Sequence, residues 1–186
     1  MKKFKIVFLV LVGLLSLAPV YGQVVPKDNE VLRQLAEVRM ATARYHDVSV
    51  ALADGYLATP ACVQALGLGA MGYHYVNPSL FDTNVDKMKP EALLYFATEE
   101  GFRLAGVEYV VLALANTAEG PVPWFGSAPP AGGFYTGTPS VLGHSFDGPM
   151  PGHEPEMPWH YDLHVWVWQA NPSGIFALFN PKLACP

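Results

Sequence analysis

Trp159-His160-Tyr161-Asp162-Leu163-His164-Val165-Trp166-Val167-Trp168 is the stretch around which this chain is organised. It is rich in β-branched and aromatic residues and alternates with period two, which predicts a β-strand. Successive side chains of a strand point to opposite faces. Tyr161, Leu163, Val165 and Val167 therefore share a face suited to an apolar core, and His160, Asp162, His164, Trp166 and Trp168 share the other. Three groups able to bind a metal or move a proton thus lie on one face, beside two indoles. Two neighbouring Trp side chains on a fully solvated face are rare, so this face is expected to be half buried, in a pocket or a barrel interior.

Two further strands bring lone ionisable groups into apolar surroundings. Tyr73-His74-Tyr75-Val76 alternates and stops at Asn77-Pro78, a turn signal. It puts His74 on a face with Val76, and Tyr73 and Tyr75 on the other. Ala92 to Phe96 and Arg103 to Leu114 read as strands joined by a turn at Thr98 to Gly101, where Gly101 supplies positive φ. In the second of these, Leu104, Glu108, Val110 and Leu112 share a face. Glu108 is then a carboxylate among apolar residues, and burying it without a partner costs several kcal/mol. A metal, a histidine or an arginine is expected beside it.

Upstream, Val31, Leu35, Val38, Thr42, Tyr45, Ser49 and Leu52 fall at helical spacing, with Ser49 the weak point. Asp28 or Asn29 caps the start and Gly55 ends it, so one long amphipathic helix is expected over roughly 29–54. Tyr56 to Gly69 reads as a loop or ragged helix. From Asn116 to Met157 the chain is rich in Pro and Gly, yet carries Trp124, Phe125, Phe134, Tyr135 and Phe146. A disordered linker seldom holds so many aromatics, so an ordered loop wrapped on the body is expected, carrying His144, His153, Glu154 and Glu156.

The N-terminus begins Met1-Lys2-Lys3-Phe4-Lys5 and continues as an apolar run from Ile6 to Val20, broken by Gly13 and Pro19. This is the pattern of a secretory signal, residues 1–22, with cleavage after Gly22 and a single domain over 23–186. The run is short for a membrane span, so no stable span is expected after cleavage. The chain has a net charge of -5, and the loss of Lys2, Lys3 and Lys5 takes the remainder to -8. That acidity argues against nucleic acid as a partner. A secreted or periplasmic location makes a disulfide the expected state of Cys62 and Cys185, with free or metal-bound thiols as the alternative.

The candidate chemistry rests on histidines and carboxylates converging within about 2 Å of one point. On a strand, positions i and i+2 lie about 6.5 Å apart and face the same way. Asp162 can therefore share an ion with His160 or His164, while the two histidines, about 13 Å apart on a straight strand, cannot easily do so. The expected metal set is His74, Glu108 and His164, with His160 and Asp162 auxiliary. Two histidines and one carboxylate with open positions suit a divalent transition metal such as zinc, iron or copper. His153-Glu154 with His160 is a second cluster, on a loop. The same buried histidines also read as core residues satisfied by hydrogen bonds. Tyr73, Tyr75, Trp166 and Trp168 either belong to the core or line a ligand pocket. GxSxG and Walker A patterns are absent from the chain, which disfavours the chemistries that they carry.

Met71-Gly72-Tyr73-His74-Tyr75-Val76-Asn77, Gly106-Val107-Glu108-Tyr109-Val110-Val111 and Leu163-His164-Val165-Trp166-Val167-Trp168, followed by Asn171-Pro172-Ser173-Gly174 and Asn180-Pro181, resemble a family of small exported bacterial proteins usually labelled hypothetical. The resemblance covers most of 23–186. It implies export and a shared fold but no mechanism, and it places His74, Glu108 and His164 inside the shared blocks, with His144 and His153 outside them.

The expected fold is α+β: a long N-terminal helix packed on a mainly antiparallel sheet or a partly closed small β-barrel. The expected function is a secreted protein whose His/Glu pocket holds a divalent transition metal, either to bind a small ligand or, if catalytic, to act on a small substrate. The alternatives are a metal-free module for a small apolar or aromatic ligand, or a structural domain of the cell envelope.

Overall fold

A computed structural model describes residues 27–153 and 156–186 of the chain. The expected signal segment, 1–22, lies outside the described residues. The expected single helix is divided. Helix α1 spans Lys27–Thr42, a 3₁₀ turn spans Ala43–His46, and helix α2 spans Val48–Ala53. The break is at Asp47, whose backbone is extended (φ -90°, ψ 107°) and whose carboxylate accepts the N–H of Ser49. An Asp that caps the following turn offers the backbone an alternative to helix. Ser49, the weak point of the apolar period, is where that alternative prevails. The long N-terminal helix is thus corrected to two shorter ones.

Among the described residues, six strands form one sheet in the order β1-β2-β3-β4-β10-β9, with every neighbouring pair antiparallel. They are β1 (Leu57–Ala65), β2 (Gly69–Val76), β3 (Ala92–Thr98), β4 (Gly101–Leu112), β9 (Asp147–Met150) and β10 (His160–Val165). The sheet curls strongly into a half-barrel against which the helical region packs, so the architecture is α+β. Between β4 and β9, two small hairpins form: β5 (Leu114–Thr117) with β6 (Gly120–Pro123), and β7 (Ser140–Val141) with β8 (His144–Ser145). The Pro/Gly-rich segment is therefore ordered. It contributes buried Leu142 and Phe146, and the Phe134 ring lies 5.2 Å from that of Trp159.

One face of the sheet makes the main core. Tyr75, Leu93, Tyr95, Val107, Tyr109, Val111, Tyr161, Leu163 and Val165 cluster there with Leu35 and Val38 of α1 and Ala51 of α2. Each large side chain buried in this way stabilises the fold by roughly 1.5–3 kcal/mol. The tyrosines keep their hydroxyls satisfied at the edges of the core. Tyr95 donates to the Tyr45 carbonyl at 2.5 Å, Tyr109 to that of Lys87 at 2.7 Å, and Tyr161 to that of Thr136 at 2.8 Å.

Three sequence expectations are corrected by the register. Tyr95 pairs with Leu104 but Leu94 pairs with Gly106, so Ala105 is an extra residue in β4. A bulge of this kind reverses the faces beyond it. Leu104 consequently joins Val107 and Tyr109 in the main core, rather than sharing the face of Glu108. Gly106 lets β10 approach closely, because a Cβ there would lie 2.7 Å from the Val165 carbonyl oxygen.

Strand β10 ends at Val165, not at Trp168. Beyond it Trp166 N–H donates to the Ile175 carbonyl and Trp168 N–H to that of Ala105. Trp166 still packs away from the main core, with Leu94, whereas Trp168 packs against that core, so the alternation holds to Trp166 and is lost at Trp168.

Tyr56 to Gly69 is not a loop: it contains β1, the edge strand beside β2. Pro60 lies within β1, and an edge strand tolerates a proline that a central strand would not. Much of β1 is exposed, which is why it shows no clean period of two. Its Cys62 is bonded to Cys185 in a disulfide with Cα atoms 5.7 Å apart, tying the C-terminal tail to the sheet edge.

Candidate metal centre

The face of the sheet opposite the main core carries the ionisable groups. Antiparallel pairing sets His164 of β10 directly across from Glu108 of β4, and Asp162 across from Val110. On the other side of β4, Ala92 of β3 lies across from Glu108 and, towards β2, across from Val76. His74 pairs with Leu94, two residues along from Ala92, so His74 and Glu108 stand two strands and two residues apart, about 12 Å between Cα positions in a flat sheet. The curl brings them together over the small Ala92 side chain. His74 Nε2 lies 3.5 Å from Glu108 Oε2, and His164 Nε2 lies 4.0 Å from Glu108 Oε1. The two imidazole centroids are 5.9 Å apart.

His74, Glu108 and His164 each offer a ligand atom within 4.8 Å of the others, so the three could hold one metal ion. Two ligands bound at 2.0–2.1 Å to a tetrahedral ion are themselves about 3.4 Å apart. The observed separations exceed a good hydrogen bond and need contractions of about an ångström or less to reach a metal's coordination sphere.

A second group adjoins the first. His153, His160 and Asp162 also bring ligand atoms within 4.8 Å of one another. His160 Nδ1 lies 3.1 Å from the Pro158 carbonyl oxygen. A carbonyl only accepts, so Nδ1 carries the proton of that bond. The His153 ring comes from the loop before β10 and sits 5.4 Å from that of His160.

His74, Glu108, His164, Asp162 and His153 all line one cavity of about 220 Å³. Val63 of β1, Met71, Val76, Phe81 and Met157 form its apolar wall. A larger depression, about 510 Å³, is an open surface feature beside Gln34, Lys87 and Leu142 and is lined by none of these groups.

Burial sets the protonation of the site. It lowers His74 to about 4, with the nearby charge of His153 acting in the same sense. It depresses His164 well below the ordinary imidazole range, helped by His74 and His153. His160 is lowered by burial against the opposing pull of its bond to Pro158. Burial pushes Glu108 well above the carboxylate range, with the charges of Asp162 and Glu91 adding to it, and raises Asp162 to about 7, with Asp147 adding. Near neutral pH His74, His160 and His164 are therefore held neutral, with lone pairs to offer, beside carboxyls whose ionisation a cation would favour.

Four buried atoms have no hydrogen-bond partner among the described residues: His160 Nε2, Asp162 Oδ1, His164 Nδ1 and His164 Nε2. An orphaned buried polar atom costs about 1–3 kcal/mol, and such atoms are few in native proteins. A hydrogen bond to Glu108 would satisfy His164, but the 4.0 Å separation is too long for one. The residues fit a cation.

The other sequence candidates lie elsewhere. Tyr75 packs in the main core, with Tyr73 half-buried against it, and their rings stand 5.1 and 6.0 Å from Phe102. Trp166 sits in a smaller cluster with Ala70, Leu94, Ala105 and Leu183. Trp168 packs 4.4 Å from the His46 ring and donates to Thr42 Oγ1 at 3.1 Å. These four aromatics belong to packing rather than to the cavity wall. Sequence reasoning did not place the wall from β1 (Thr59, Ala61 and Val63), because an exposed edge strand leaves no alternation to read. It named His153 but gave it no position, since a loop has no periodicity to fix direction.

Among the described residues no helix is long and apolar enough to cross a membrane. No protein-family model, no curated protein and no solved structure matches this chain.

Proposed function

We propose that this protein binds a divalent transition metal through His74, Glu108 and His164. The observation that carries the reading is the unpartnered His164 ring: both its nitrogens are buried and unsatisfied among the described residues, and Nε2 lies 4.0 Å from Glu108 Oε1. Two imidazoles and a carboxylate suit zinc, iron or copper and leave coordination positions free. The metal supplies Lewis acidity; the chain supplies a dry cavity and neutral ligands. The apolar wall of Met71, Val76, Phe81 and Met157 supports a small molecule with an apolar body as the substrate or ligand, and the acidic balance of charge argues against nucleic acid. Export, as in the small exported proteins that the chain resembles, is part of the proposal, and the Cys62–Cys185 disulfide supports it.

The test is elemental analysis and equilibrium dialysis with zinc, iron(II) and copper(II), on the wild type and on His74→Ala, Glu108→Gln and His164→Ala. Bound metal that falls in all three variants supports the reading. Metal content unchanged by all three removes it. In that case a melting temperature insensitive to chelator but raised by small aromatic compounds would favour the metal-free binding module.

A further inference from the structure

His160 is fully buried and Asp162 nearly so, at 0 % and 2 % exposure. Its bond to the Pro158 carbonyl orients the His160 ring. Metal-ligating histidines are held in this way, with one nitrogen fixed to a carbonyl so that the other presents its lone pair. The presented atom, Nε2, is unsatisfied among the described residues, and so is Asp162 Oδ1. His160 and Asp162, both nine-tenths buried, each offer a ligand atom within 4.8 Å of one from His153. None of the three is used by the His74, Glu108 and His164 group.

The two groups are contiguous. Asp162 and His164 are two apart on one face of β10, and Asp162 stands on the diagonal from Glu108, whose direct partner is His164. Diagonal positions across an antiparallel pair are about 7–8 Å apart at most, within reach of a carboxylate pair. His153 and Asp162 open into the same cavity as the first group.

We propose that His153, His160 and Asp162 form a second cation site, so that the cavity holds two divalent transition metals side by side. The inference rests on the metal reading of the first group, because the second ion shares that cavity. Two imidazoles and one carboxylate at each position form the same donor set, so both sites take the same class of ion. Two dipositive ions against two carboxylates leave net positive charge, which an oxygen-bearing ligand entering from the apolar end would neutralise.

The experiment is a cobalt(II) titration of the full chain with its disulfide intact, after stripping with chelator. Bound ions per chain are counted by dialysis, and the visible cobalt bands are recorded at each step. The wild type is expected to bind two ions. His153→Ala, which alters an exposed side chain and spares the core, is expected to bind one, as is Asp162→Asn. Glu108→Gln is also expected to bind one, through the other site. A single ion that survives His153→Ala and Asp162→Asn but is lost in Glu108→Gln would overturn this inference and leave the first reading standing. A single ion lost in His153→Ala and retained in Glu108→Gln would overturn the first reading and, with it, the two-ion arrangement. No bound ion in the wild type would overturn both.

Discussion

Glu108 and His164 sit directly opposite each other on neighbouring antiparallel strands, with Oε1 and Nε2 4.0 Å apart, and both are buried. Because burial pushes Glu108 well above the carboxylate range, its charged form, and with it Coulomb attraction to His164, is disfavoured without a cation. A bound ion would offset the desolvation of the charged carboxylate.

Glu108→Gln separates the metal role from a structural one. In chelator, a neutral amide replaces a neutral acid, and stability should change by no more than about 1 kcal/mol. With metal at 100 times its dissociation constant, the wild type should gain about 2.7 kcal/mol, or roughly 5–10 °C in Tm. The variant should gain far less. Equal metal-induced shifts in thermal melts of the two proteins would contradict this.

Ala92→Leu tests the cavity without touching a ligand atom. Ala92 lies between Val76 and Glu108 across β3, where a larger side chain would fill the space into which the His74 and Glu108 side chains reach. Overpacking should cost about 1–3 kcal/mol, read as a lower urea midpoint, and metal binding should weaken in the dialysis assay. Undiminished metal binding in a folded Ala92→Leu variant would mean that the site lies elsewhere.

Glu91, which is not one of the proposed metal ligands, gives a pH signature of its own. It is buried just before the start of β3 and accepts the N–H of Val110 in β4 at 2.9 Å. Burial above all raises its carboxyl to about 8 against an ordinary 4.5. Between those values the folded chain holds a proton that the unfolded chain has released. This contribution to stability is therefore fully present below the unfolded value and is lost as pH rises towards 8. The limiting slope for one proton is about 1.4 kcal/mol per pH unit. Glu91→Gln keeps an oxygen for Val110 and removes the titration. It should gain stability relative to the wild type between pH 5 and 8 in chelator-treated urea melts. A constant difference across that range would show that Glu91 does not titrate as described.

The Cys62–Cys185 bond closes a span of 123 residues, for which the chain-entropy account gives about 5 kcal/mol. Cys62→Ser with Cys185→Ser should lose much of that. Hydrogen exchange should quicken first in β1, an edge strand exposed along much of its length, and metal affinity should fall because Thr59, Ala61 and Val63 wall the cavity. Uniform acceleration across the sheet, with β1 no worse than β4, would count against β1 as the weakly held edge.

The alternation of Tyr161, Leu163 and Val165 against His160, Asp162 and His164 was legible because side-chain direction in a strand is a local, two-residue property. The same reasoning placed Glu108 among apolar neighbours and anticipated the pairing of the two cysteines. It failed where one residue shifts the count. Ala105 adds a residue to β4 and moves Leu104 to the other face, and Asp47 ends a helix whose apolar spacing continues past it. Trp166 and Trp168 matched the pattern of His164, yet the strand ends before them and they pack apart.

Residue order thus specifies which groups leave each strand on which side, since backbone geometry repeats every two residues whatever the surroundings. It does not specify that His74 meets Glu108 across an intervening strand, or that His153 arrives beside His160. Those meetings follow from the curl of six paired strands and the path of a loop, which are set by packing between segments distant in the chain.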